Sequence, residues 1–173
     1  MRGGLAAAVV TVVISTTACG HNATQPQAPR GADLATREAL YDASELTYVD
    51  RLGSRSWRRA DGTYSLRTIE SAVARYPDSR EAHATVRQRS LAVSLIAGTG
   101  GGLVGFTAGY QLSAPERERM SNRAAYTLLG AGVVFIGVGL VLDRTWARDA
   151  ARDMAATYNA ALRRDLELPP AIR

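Results

Sequence analysis

Lysine is absent from the 173-residue chain, so its formal net charge of +5 rests on arginine alone. Cysteine occurs once, at Cys19, and this excludes a disulfide bond within the chain. Aromatic residues make up only 6% of the sequence, and the arginines are interspersed with acids instead of aromatic rings. That pattern is not typical of a nucleic-acid interface, so nucleic acid is not expected as a partner.

Familiar catalytic motifs are also missing. The sequence has no Gly-rich phosphate loop, no G-x-S-x-G nucleophile motif and no H-E-x-x-H zinc motif. His21 lies in a polar segment, and His83 is expected alone on the exposed face of a charged helix. Because neither has a second histidine at ligand spacing, we expect no metal, no cofactor and no catalytic residues. An enzyme of unknown type is the least favoured hypothesis.

The N-terminus has the pattern of an export signal over residues 1–18. Its apolar run over residues 5–14 is too short to span a membrane, and small residues lead from it to Cys19. This ending resembles the lipobox of bacterial lipoproteins, whose cysteine receives a diacylglyceryl group. We therefore predict lipidation at Cys19. Thr16 replaces the usual leucine, and ordinary signal-peptidase cleavage after Ala18 is the alternative.

A polar, proline-containing stretch at residues 19–31 predicts a disordered tether. Residues 32–89 then predict a small, mainly helical soluble segment, whose first helix runs to about residue 49. The Asp61-Gly62 pair predicts a turn, with a tiny β-hairpin near residues 57–65. Arg55, Arg58 and Arg59 are expected on a solvated face, and lipid phosphates or an acidic partner are the alternatives for them.

Two further helices are predicted before the membrane. One covers residues 66–76, buries Leu66, Ile69 and Val73, and stops at Pro77. The next opens at residues 78–81, which have the spacing of a capping box. No helix-breaking residue follows before the apolar run, so this helix is expected to continue straight into the membrane.

Two uncharged runs, residues 90–112 and 124–142, predict two transmembrane helices joined by a loop at residues 113–123. Each run can cross a hydrocarbon core of roughly 30 Å, and the soluble remainder is too small to bury both. An exported N-terminus places residues 20–89 in the periplasm. The arginines of the loop agree with that orientation, yet the arginines on the other side of the spans outnumber them. We favour the orientation that the export signal sets.

Glycine is frequent in both runs. Gly101, Gly105 and Gly109 recur every four residues in the first, and the second contains pairs spaced by seven. Small residues on one face let helix backbones approach closely in lipid, either within one hairpin or between copies in a homo-oligomer. The candidate helix-packing residues are Gly98, Gly101, Gly102, Gly105, Gly109, Gly130, Gly132, Gly137 and Gly139. A pore is not favoured, because neither run contains an ionisable side chain other than tyrosine.

An amphipathic helix is predicted over residues 143–166, followed by a tail at residues 167–173. Its apolar stripe comprises Trp146, Ala150, Met154, Tyr158 and Leu162. Balanced charges on the opposite face favour packing on the soluble segment over lying on the membrane.

A family resemblance covers roughly residues 60–165. It rests on the order of several features: the turn, a short helix, Pro77, the Gly-rich first span, and a closing helix with Ala156, Tyr158, Asn159 and Leu162. The order resembles a set of uncharacterised bacterial two-pass membrane proteins and lipoproteins that carry a terminal A-x-x-Y-N-x-x-L signature. A weaker resemblance is to Gly-zipper outer-membrane lipoproteins. The resemblance implies no activity, but it marks Tyr158 and Asn159, which we interpret as a packed ring and an amide that caps or bonds nearby backbone.

The sequence therefore predicts a mainly α-helical protein with a membrane hairpin of two helices, a small helical soluble segment and a C-terminal amphipathic helix. The expected role is that of a non-enzymatic lipoprotein of the bacterial cell envelope, bound to membrane lipid, that scaffolds another envelope protein. The alternative is a Gly-zipper protein that self-assembles and alters membrane permeability.

Overall fold

The computed structural model describes residue 23, residues 27–51 and residues 54–169. The predicted signal and Cys19 lie outside the described residues. The described chain is mainly helical, with a small antiparallel sheet, which confirms the predicted fold class. Its elements are α1 (Leu34–Ser44), β1 (Thr47–Arg51), β2 (Ser54–Arg59), β3 (Gly62–Tyr64), α2 (Glu70–Val73), α3 (Pro77–Ser113), α4 (Asn122–Leu142) and α5 (Arg148–Asp165).

Two helical rods dominate the molecule. The first is α3, and the second runs through α4, a π-helical segment at Asp143–Ala147 and α5 without a break. Both rods are long and apolar enough to cross a membrane. They pack antiparallel, since Gly139 lies against Ala97 while Gly132 lies against Gly100. Predicted spans 90–112 and 124–142 fall within this pair, which we call the hairpin.

The outer surface of the hairpin is apolar. Large side chains on both helices are exposed, among them Leu112, of which 84% is accessible, and Tyr126, of which 73% is accessible. Apolar surface of this extent on a small protein marks contact with lipid or with another chain. The exposed faces therefore agree with a membrane-embedded hairpin.

A compact unit, which we call the head, surrounds the start of the first rod and the end of the second. It contains α1, the sheet, α2, the first turns of α3, and α5. Its core comprises, among others, Trp57, Ile69, Val73, Val86, Met154, Tyr158, Leu162 and Leu166. The C-terminal helix thus packs on the soluble segment, as its charge pattern favoured. Of its predicted apolar stripe, only Trp146 stays outside the core, with 42% of its surface exposed.

The sheet has the order β1-β2-β3 and is antiparallel throughout. Trp57 stands opposite Tyr64 in β3, so the small β-hairpin predicted near residues 57–65 is confirmed. On its other side Trp57 stands opposite Tyr48 in β1, a strand that the sequence analysis assigned to the first helix. That helix ends at Ser44, because the following Thr, Tyr and Val favour a pleated strand.

The next two helices also differ from their predictions. Only the turn Glu70–Val73 forms where residues 66–76 were expected to be helical. Ser65 and Thr68 bond to each other's backbone and side chains and hold a loop instead. Ile69 and Val73 are buried as predicted, whereas Leu66 is half-buried. Pro77 does not stop a helix but begins α3 at its first position, and no side chain caps that end.

Candidate functional site

The boundary between head and hairpin is held by three arginine contacts. Arg55 of β2 pairs with Asp143 at the end of α4 and donates to the hydroxyl of Ser90 on α3. This one guanidinium therefore joins the sheet to both rods. Its side chain is only 18% exposed, so solvent screens the pair little on the arginine side.

The other two contacts flank the first. Arg148 at the start of α5 pairs with Asp50 of β1. Arg89 of α3 donates to the carbonyl oxygen of Trp146 at 3.0 Å, and its guanidinium lies 5.0 Å from the centre of the Trp146 ring. Both contacts meet the second rod at or beside the π-helical segment. Such segments widen a helix locally and are frequent at functional positions.

A cleft of about 280 Å³ opens at this boundary, and we call it the junction cleft. Six of its eight lining residues are polar or charged, although it lies level with the start of the uncharged run. Its lining residues are Asp50, Ser54, Arg55, Trp57, Leu66, Ser90, Ser94 and Asp143. Ser90, Ser94 and Asp143 were not predicted as site residues. These residues could have been identified by their position, because small polar and acidic residues occur where the ends of two antiparallel spans meet.

A second cleft, of about 440 Å³, adjoins the first, and we call it the arginine cleft. It is lined by Leu66, Arg67, Glu70, His83 and Arg87, and it shares Leu66 with the junction cleft. His83 was expected on an exposed face, and this was wrong, because only 6% of it is exposed. Its Nε2 lies 2.8 Å from the carbonyl oxygen of Leu66. A carbonyl oxygen only accepts, so Nε2 carries the proton.

The solvated face predicted for three arginines of β2 is correct for Arg58 alone. Arg55 is taken up by the junction. Arg59 is 7% exposed and lies 3.6 Å from Asp61, with its guanidinium 5.9 Å from the centre of the Tyr64 ring. A β-strand turns alternate residues to opposite faces, which is why neighbouring arginines differ so much in burial.

The two signature residues of the C-terminal helix both face the head. Tyr158 is fully buried and meets the ring of Tyr76 edge-on, with 5.8 Å between ring centres. Asn159 donates from Nδ2 to the carbonyl oxygen of Leu46 at 3.0 Å and accepts from the Leu46 N–H at 2.8 Å. The ring is packed as interpreted, whereas the amide bonds to backbone that is remote in sequence and not to the nearby backbone that was expected.

Burial changes the acidity of these rings. It raises the pKa of Tyr158, and it is also the main reason that the pKa of Tyr76 is raised. The hydroxyl of Tyr76 donates to Asp165 at 3.1 Å, and the adjacent carboxylate disfavours a second negative charge. Both phenols are therefore held in their neutral form well into the alkaline range.

One residue of the predicted tether is attached to the head. Ala23 is 3% exposed, its N–H donates to the carbonyl oxygen of Thr68 at 3.2 Å, and its own carbonyl accepts from the Ser71 hydroxyl at 3.0 Å. Thr68 and Ser71 flank Glu70 of the arginine cleft. This attachment was not predicted, because a lone alanine in a polar stretch gives no local signal.

The glycines of the hairpin divide into two groups. A Cβ atom on Gly132 or Gly139 would collide with α3, and one on Gly100, which the sequence analysis passed over, would lie 2.5 Å from the Gly132 carbonyl oxygen. These three glycines let the rods touch. The others have open space at the Cβ position, and they are Gly98, Gly101, Gly102, Gly105, Gly109, Gly130 and Gly137. Packing of these glycines against another molecule stays a prediction.

Comparison with known proteins adds no relative. No family model, no curated protein and no solved structure matches this chain. Within the described residues, no group of three or more His, Cys, Asp or Glu side chains could hold a metal ion. The boundary between head and hairpin, with its two clefts, is therefore the candidate functional site.

Proposed function

We propose that this chain is a non-enzymatic membrane scaffold, a lipoprotein of the bacterial cell envelope that presents its head to another envelope protein. The observation that carries the proposal is the way the head is fixed to the hairpin. Both rods run from the hairpin into the head without a break, and Arg55 ties the sheet to each of them. A head held in one orientation against a membrane suits the display of a binding surface.

The position of Ala23 supports lipid anchoring at Cys19. Ala23 is fixed beside the arginine cleft, and the four residues of chain that separate it from Cys19 span at most about 14 Å. Arg87 of that cleft precedes Ser90, the first residue of the uncharged run, by about 4.5 Å of helix. A diacylglyceryl group on Cys19 can therefore enter the same leaflet as the hairpin. This arrangement favours a head on the periplasmic side.

Anchoring is tested by mass spectrometry of the mature N-terminus together with accessibility labelling of the 113–123 loop. The proposal expects a diacylglyceryl mass on Cys19 and a single cysteine at Arg117, in a Cys19→Ser background, that is closed to impermeant reagent from the periplasm. A cysteine at Arg58, on the head, is the matched control and should react. The reverse labelling pattern would refute the orientation.

Scaffolding is tested by photocrosslinking in living cells from exposed head positions such as Arg58 and Arg80. The same protein should be captured from neighbouring head positions and not from Arg117 in the loop. Loss of the product in a variant with a destabilised head, such as Asn159→Ala, would show that the folded head makes the contact. Substrate turnover by purified protein that is abolished at Arg58, His83 or Tyr158 would overturn the non-enzymatic role.

The second candidate function is self-assembly that alters membrane permeability. The observation in its favour is that Gly101, Gly105 and Gly109 have nothing within 4 Å of a Cβ position, so the hairpin leaves this face open. Replacing Gly101 and Gly105 with leucine should remove oligomers from a crosslinking gel and leave the hairpin intact. Gly137→Leu, on an open position of α4, is the control. Unchanged oligomers in the double variant, or their loss in the control, would exclude this face.

A further inference from the structure

We propose that the arginine cleft binds the phosphate of an anionic phospholipid headgroup in the leaflet that the hairpin enters. The inference rests on the proposed membrane insertion and names the lipid chemistry that the head recognises. It is carried by the place of the cleft, its charge and its shape.

The cleft lies at the level where headgroups of a bilayer would be. Arg87 stands one helical turn before Ser90, where the uncharged run of α3 begins. Leu66 lines both this cleft and the junction cleft, which reaches Ser94 inside that run. The cleft thus adjoins a second cleft that reaches the hairpin, and a lipid whose chains lie along α3 would bring its headgroup to Arg67 and Arg87.

The net charge of the cleft complements the single negative charge of one phosphodiester. The lining has two guanidinium groups, on Arg67 and Arg87, and one carboxylate, on Glu70, which leaves an excess of one positive charge. Both arginines are exposed. Arginine presents several N–H donors in a planar fork that matches phosphate oxygens.

The walls of the cleft are firmly held. His83, at its edge, is buried and fixed to the Leu66 carbonyl, while Ala23 holds the adjoining loop through Thr68 and Ser71. A volume of about 440 Å³ is within the range of pockets that hold small ligands. Because the backbone of the cleft is held in place, the arginine side chains are the main groups that must be ordered when it binds.

The test uses native mass spectrometry of the full-length protein in detergent, titrated with dioleoylphosphatidylglycerol or with dioleoylphosphatidylcholine. The two lipids have the same chains, so the ratio of their Kd values isolates the headgroup. We expect wild type to prefer phosphatidylglycerol. Arg67→Gln and Arg87→Gln should each lower the preference roughly five-fold, since one arginine at a membrane surface contributes about that factor, and the double variant should lower it about thirty-fold.

Arg80→Gln is the matched control. Arg80 is exposed on the same face of α3, seven residues before Arg87 and so about 10 Å farther from the hairpin. Its replacement removes the same charge and should change the preference less than two-fold. A second measurement varies salt, and the preference should fall with ionic strength in wild type but little in the double variant.

Several outcomes would overturn the inference. They are equal Kd values for the two lipids in wild type, an equal loss in Arg80→Gln, or displacement of phosphatidylglycerol by millimolar inorganic phosphate, which would mark a site for a soluble anion. Extraction of membranes with carbonate separates this failure from that of the proposed function. If the protein stays in the membrane fraction without a lipid preference, only the inference fails.

Discussion

The side-chain amide of Asn159 pairs with the backbone of Leu46 as a neighbouring strand would, donating to its carbonyl oxygen and accepting from its N–H. Leu46 precedes β1 and is 2% exposed, so water cannot replace these bonds. One amide on α5 thereby fixes the place where the sheet begins. The head depends on this pair for the alignment of its helical and β parts.

Replacing Asn159 with alanine leaves both backbone groups of Leu46 without a partner. We expect a loss of about 3 kcal/mol in the free energy of unfolding, because each buried unpaired group costs about 1–3 kcal/mol. Urea unfolding in detergent, followed by tryptophan fluorescence, measures it. Asn159→Asp should be as harmful, since its second oxygen would face the Leu46 carbonyl. Asn122→Ala, an exposed position on α4, should change stability by less than about 0.5 kcal/mol.

The pair of Arg55 and Asp143 should be coupled in a double-mutant cycle. Arg55→Gln leaves Asp143, at the boundary between head and hairpin, without its guanidinium, and Asp143→Asn leaves the largely buried Arg55 uncompensated. We expect a coupling free energy of about 1–2 kcal/mol, discounted for the 38% exposure of the aspartate side chain. Arg152 and Asp149, an exposed pair 3.8 Å apart, provide the control cycle and should couple by less than about 0.5 kcal/mol. Equal coupling in the two cycles would contradict the role given to the junction.

Gly100→Ala should force the two rods apart. The added Cβ would lie 2.5 Å from the Gly132 carbonyl oxygen and 2.8 Å from the Ile136 nitrogen, and backbone atoms cannot turn aside as a side chain can. Gly101→Ala is the neighbouring control, with open space at its Cβ position. Pulsed electron resonance between spin labels at positions 112 and 126, in a Cys19→Ser background, should show a longer or broader distance for Gly100→Ala alone. An unchanged distance would mean that the rods do not pack through Gly100.

Stability should fall when the pH rises above about 10. The pKa of Tyr76 and of Tyr158 is raised above the ordinary value of 10.0 in the folded head, chiefly by burial. A neutral phenol is thus favoured by folding, so its contribution is complete below the unfolded pKa and is lost as the pH rises through the folded one. The chain contains no lysine, which leaves tyrosine as the main side chain that titrates in this window.

Melting temperatures in detergent between pH 8 and pH 11 measure this loss. Tyr158→Phe should flatten the decline at high pH. It should cost little at pH 7, because the buried Tyr158 hydroxyl has no hydrogen-bond partner among the described residues. A profile that stays flat to pH 11 in wild type would contradict the burial of these phenols.

The parts that the sequence predicted well are those that local pattern determines. An apolar helix can be recognised from the length of an uncharged run alone, without knowledge of what it packs against. A turn signal between short polar-aromatic runs was enough to predict the β-hairpin of β2 and β3. The repeat of Ala150, Met154, Tyr158 and Leu162 likewise indicated the buried face of α5.

The features that were missed depend on contacts between distant parts of the chain. Thr47–Arg51 becomes a strand because β2 offers it a hydrogen-bonded edge. His83 is buried because a loop brings the Leu66 carbonyl over it, and Ala23 is buried because Thr68 and Ser71 provide partners for its backbone. The spacing of the glycines in α3 predicted packing at every fourth residue, from Gly101 onward. The contact with α4 falls on Gly100 instead, because the crossing of the two rods determines which glycine faces the other helix.

The unbroken rods have a mechanical consequence. Helix α3 is 37 residues long, about 55 Å, whereas a hydrocarbon core is roughly 30 Å thick. The part of α3 that precedes the uncharged run, residues 77–89, is about 20 Å long and is held in the head. Helices tilt when the surrounding bilayer thins, and a clamped head must swing with them. With the hairpin inserted as proposed, the two rods would transmit a small change in membrane thickness to the orientation of the head.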